Sequence, residues 1–171
     1  VIIAVLCAIG IAGRAALFML PQFKPVMALT IIAGVAFGGE TGFLVGAMTM
    51  LASNVLFSQG PWTPWQMFAM GCIGGLAGSL FSRRGRRPRK GMLCLFGFLA
   101  AVVLYGAVMN TASVLLWSHS LQWELIAAAC AAGLPMDLLH GGSTALLLYL
   151  LADPVQGKLD RMREKYGWGR G

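Results

Sequence analysis

The 171-residue chain is 58% hydrophobic and only 11% charged, with a mean hydropathy of +0.76, more apolar surface than a soluble fold of this size can hide, so the composition indicates a bilayer protein. The net charge of +7 does not imply nucleic acid: six of the thirteen basic residues fall between Arg83 and Lys90 and five more follow Asp153, two patches suited to water beside anionic headgroups.

Residues 1–20 form an apolar run that would span about 30 Å as a helix, the thickness of the hydrocarbon layer. The chain opens at Val1 rather than Met, so this helix is expected to begin earlier. Arg14 alone interrupts the run, close enough to its external end to snorkel to the interface, so a structural role is favoured over binding of a substrate anion. Pro21 and Pro25 bracket a polar turn. Shorter apolar runs follow at 26–37 and 43–57, separated by a Gly-Gly-Glu-Thr-Gly turn and read as tilted or partly re-entrant helices. The segment Ser-Gln-Gly-Pro-Trp-Thr-Pro-Trp at 58–65 reads as an aromatic interfacial loop. A fourth helix is expected over 66–81, a solvated basic loop over 83–91, and further helices over 92–117 and 125–151. The polar remainder reads as a short amphipathic helix.

The expected fold is therefore an all-α integral membrane protein, a six-transmembrane-helix bundle over 1–152 with a basic cytoplasmic tail over 153–171. Six spans put both termini and the 83–91 loop on one side. The positive-inside rule makes that side the cytoplasm and leaves the turns near 21–25, 58–65 and 118–122 outside.

Cys7, Cys72, Cys94 and Cys130 lie singly in apolar runs, as small buried hydrophobes do, and neither disulfide nor metal spacing occurs. No cofactor is expected. With two histidines, His119 and His140, and no catalytic signature, an enzyme is not indicated. The chain also lacks a phosphate-binding loop, so energy for uphill transport has to come from elsewhere.

Ala4, Ala8 and Ala12 are spaced four apart and form one flat helical stripe. Periodicity alone favours packing within the fold over contact with a partner. Asn54, Gln59, Trp62, Trp65, Gln66 and Asn110 gather aromatic faces and hydrogen-bonding groups toward the external half, a plausible substrate pocket; interface anchoring and interhelical bonding are the alternatives. Asp137 and His140, three apart after Pro135, share a helical face and form a secondary polar site, either functional or a structural pair.

Taken in order, the alanine ladder, the segment GRAALFMLPQFKP, the small-residue third helix, SQGPWTPWQM and GLPMDLLHGG resemble the S components of energy-coupling factor (ECF) transporters over nearly the whole chain. The resemblance implies a prokaryotic plasma-membrane protein that binds a vitamin or other micronutrient from outside. It also implies a transmembrane T-component scaffold and two ATPase subunits as partners. Ala4, Ala8 and Ala12 then become scaffold contacts rather than internal packing, and the loops near Pro21 and Trp62 become caps over the ligand. The aromatic loop leans toward the branch that includes cobalamin, with riboflavin, thiamine or a queuosine precursor as alternatives. A structural or assembly subunit without its own ligand is the competing reading.

Overall fold

The computed structural model describes residues 1–82 and 88–166. Most of the expected basic loop, at 83–87, and the last five residues of the basic tail lie outside the described residues.

Among the described residues the regular structure is all helical: α1 (Ile2–Ala16), α2 (Val26–Phe37), α3 (Gly39–Phe57), α4 (Thr63–Phe81), α5 (Lys90–Leu99), a π-helical turn (Ala100–Tyr105), α6 (Gly106–Ser118) and α7 (Trp123–Tyr166). The segments α5, π-turn and α6 form one continuous rod, so the described residues make six rods. Three, Gly39–Phe57, Lys90–Ser118 and Trp123–Tyr166, are long and apolar enough to cross a membrane.

Several boundaries differ from the sequence expectation, each for a local reason. The expected turn at 38–42 shrinks to one residue, Gly38, whose φ of 100° suits glycine. The remaining glycines of that cluster are helical because α3 and α4 use them to approach each other. The fourth helix begins inside the aromatic segment, since Pro64 occupies the first turn, where no amide hydrogen is required. The last helix runs through both Pro135 and Pro154 to Tyr166. The polar tail therefore prolongs α7, with Ala152, Gln156 and Leu159 on its buried side.

The centre of the bundle is α2. Residues 26–34 are all buried, as expected of a helix that is apolar on every side. Twelve residues reach only about 18 Å, but α3, α4, α5, α7 and α1 surround the helix and shield its ends from lipid. Backbone contact holds α2, α3 and α4 together. A Cβ placed on Gly34 or Gly42 would overlap the Gly74 carbonyl oxygen, and one on Gly78 would overlap the Gly39 amide nitrogen. Such approach maximises van der Waals contact where no water-driven force operates between helices.

Lys90 Nζ lies 2.8 Å from Asp153 Oδ2, bringing the start of α5 against α7 where the tail begins. Lys90 and the beginning of the basic tail therefore meet at one end of the bundle. Asn110 lies twenty residues along the same rod from Lys90, about 30 Å away and thus near the other end.

Candidate functional site

At that other end is a cavity of about 300 Å3, lined from α1, the 17–25 connection, α2, α3, α4, the π-turn, α6 and α7. Met27, Met50, Met70, Met109 and Met136 supply an apolar, adaptable wall. The polar lining comes from Arg14, Gln22, Lys24, Gln66, Tyr105, Asn110, Asp137 and His140.

Arg14 does not turn outward. Its Nη1 donates to Ser53 Oγ at 2.5 Å and to Asn54 Oδ1 at 2.8 Å, and its guanidinium lies 5.9 Å from the Phe57 ring centroid. Snorkelling is replaced by inward hydrogen bonding because α3 offers two acceptors within reach. Asn54, fully buried, passes the connection on: its Nδ2 donates to Gln66 Oε1 at 2.7 Å and to Thr63 Oγ1 at 3.0 Å. Gln66 in turn reaches the Tyr105 hydroxyl. Tyr105 closes the π-turn, a wider repeat that recurs at functional sites, and stands edge-on to His140 with ring centroids 5.0 Å apart.

Across the cavity, Asn110 Nδ2 donates to Asp137 Oδ2 at 3.0 Å, so Asp137 has a partner on α6, while His140 meets Tyr105. Small residues make room for these groups: Gly106 faces the Asp137 carboxylate and Gly133 faces the Asn110 amide. The 17–25 connection is fastened over this end. Ser143 Oγ donates to the Gln22 carbonyl at 2.8 Å, with Gln22 in a left-handed conformation at φ 57°, and Pro25 seats against Gly13. This seating turns Gln22 and Lys24 toward the cavity. Lys24, half-buried, has its pKa lowered first by desolvation and then by repulsion from Arg14.

Of the sequence-predicted pocket, Gln66 and Asn110 line the cavity and Asn54 stands directly behind it. Gln59 lies outside the lining, where its Oε1 accepts from Thr63. Trp62, folded over Gly60, and Trp65 also lie outside it. The secondary pair Asp137 and His140 joins Gln66 and Asn110 in one cavity. Sequence reasoning gave Arg14 a structural role and passed over Gln22, Lys24 and Tyr105. The available signal was a lone arginine inside an apolar run, which marks a functional position by default.

Ala4, Ala8 and Ala12 are all exposed, while Leu6, Cys7 and Gly10 face α2 and α3. Among the described residues nothing packs closely over the ladder.

A sequence model of the family described as "ECF-type riboflavin transporter, S component" matches residues 1–156. The chain belongs to that family. Among curated proteins and among solved structures nothing matches. This S component is thus a membrane-embedded transporter subunit, and its cavity belongs to a transport protein rather than an enzyme. The family is of riboflavin type, so the lean of the aromatic loop toward cobalamin finds no support.

Proposed function

We propose that this S component captures a planar vitamin of the riboflavin type in the cavity between Arg14 and Asp137. A T-component scaffold and two ATPases then drive its delivery inward. The observation that carries this reading is the lining itself. Five methionines offer a soft apolar surface to a flat ring, and the amides of Gln66 and Asn110 present both donors and acceptors to a heterocycle edge. In this reading Asn54 holds Gln66 in place, and Asp137, His140 and Tyr105 complete the ring contacts. Gln59, Trp62 and Trp65 belong to the external loop that covers the opening. The basic end, with both termini, faces the cytoplasm of a prokaryotic cell, all six rods traverse or enter the bilayer, and the exposed Ala4, Ala8 and Ala12 form the flat contact for the scaffold.

The test is calorimetry on detergent-purified protein with a vitamin panel, together with mass spectrometry of any small molecule that co-purifies. Riboflavin or a related flat heterocycle should bind without ATP, and Gln66→Ala and Asn110→Ala should each weaken binding at least tenfold. Absence of binding across the panel would overturn the reading.

A further inference from the structure

We infer that the preferred ligand carries an anionic oxygen group, phosphate or carboxylate, seated beside Arg14 and Lys24; this rests on the cavity being the ligand site. The charges of the lining do not balance. Arg14 and Lys24 are two cations, and Asp137 is the single carboxylate, already engaged by the Asn110 amide. Neither cation has an ion-pair partner among the described residues. The acceptors on Arg14 Nη1 are a hydroxyl and an amide, both neutral, and Arg14 Nε is buried without any partner. Ser53 and Asn54 therefore fix the guanidinium in position without neutralising it.

A cation half-withdrawn from water without a counter-ion carries a cost, and a second one on the wall of the same cavity adds to it. An anionic oxygen group from the ligand relieves both. A guanidinium offers it paired N–H donors in a planar fork, and an ammonium adds a mobile point charge. The 17–25 connection is the element that brings Lys24 to the cavity, and its fastening through Ser143 and Pro25 keeps the ammonium there before any ligand arrives. A wholly neutral ring would leave this arrangement uncompensated.

Matched pairs of probes test the inference on the intact, purified S component. Riboflavin is compared with riboflavin 5′-phosphate, and lumichrome with a carboxyl-substituted lumichrome, by calorimetry at two salt concentrations. At least one acidic member should bind tenfold or more tighter than its neutral counterpart, and the pair showing the preference identifies phosphate or carboxylate. The preference should shrink below threefold in Lys24→Met, a substitution in a connection rather than a helix, and should fall with added salt in the unmodified protein. If each neutral member binds as tightly as its acidic counterpart and both weaken in Gln66→Ala, the ligand site stands and the inference is overturned. If no member of either pair binds, the site assignment and the inference fail together.

Discussion

Asn54 holds Arg14 in the interior: a 2.8 Å bond from the guanidinium to the amide oxygen ties the end of α1 to α3, with the amide nitrogen left to secure Gln66 and Thr63. One side chain thus joins three helices and sets the positions of two cavity residues. Asn54→Ala should lower stability by about 1–3 kcal/mol, because it removes an acceptor from the half-buried guanidinium and a donor from the half-buried Gln66 amide together. Thermal melting in detergent would register the loss, and ligand affinity should fall with it through misplacement of Gln66.

Glycines in the α3–α4 contact should divide sharply by position. At Gly74 an added methyl meets the Gly42 backbone and the Thr30 side chain, and backbone cannot yield cheaply, so Gly74→Ala should cost about 1–3 kcal/mol. At Gly75 the nearest atom to an added Cβ is 3.7 Å away, so Gly75→Ala should change stability by no more than about 0.5 kcal/mol. Melting temperatures of the two variants decide the matter.

Gln66 and Trp62 separate cavity lining from loop. Gln66→Ala should weaken vitamin binding at least tenfold by direct loss of a contact. Trp62→Ala, outside the lining, should reduce equilibrium affinity less than threefold and show itself mainly as faster ligand release. Stopped-flow release measured alongside calorimetry distinguishes the two effects.

Ala8 is exposed on the outer side of α1, away from the cavity. Ala8→Trp should abolish uptake in cells that supply the scaffold and ATPases, by blocking a flat contact, and leave ligand affinity of the isolated subunit within twofold. Equal loss of both would refute the assignment of that face to the scaffold.

The lowered pKa of Lys24 gives binding a direction with pH. Burial and Arg14 both disfavour its charged form, so the ammonium is lost at a pH below the ordinary 10.5. Affinity for an acidic ligand should be complete at neutral pH and decline as pH rises through that lowered value, with proton uptake accompanying binding in the same range. Lys24→Met should flatten the profile, and an unchanged slope in that variant would assign the titration elsewhere.

The sequence made the helical rods legible because each carries a long, mostly apolar run, and Gln66, Asn110, Asp137 and His140 were legible because polar groups in such runs need partners. Punctuation misled at the edges. Gly39 and Gly42 look like a turn until Gly74 and Gly75 are seen opposite, and Pro64 looks like a helix breaker until it proves to be in a first turn. Arg14 was misjudged because position along a helix does not tell which way a long side chain turns; Ser53 and Asn54, some forty residues away, decide that. The tryptophans were overweighted because an indole beside proline reads the same whether it walls a pocket or anchors a loop.

The glycine contacts among α2, α3 and α4 also limit how the cavity can change shape. Main chains that touch have no side chains between them to repack, so those three helices must travel as one block. Any widening or narrowing around a guest has to come from the borders made by α1, the 17–25 connection, α6 and the first half of α7, where methionines and long polar groups leave room for adjustment. A cross-link within the block should therefore be harmless to uptake, whereas one from the 17–25 connection to α7 should trap whatever is inside.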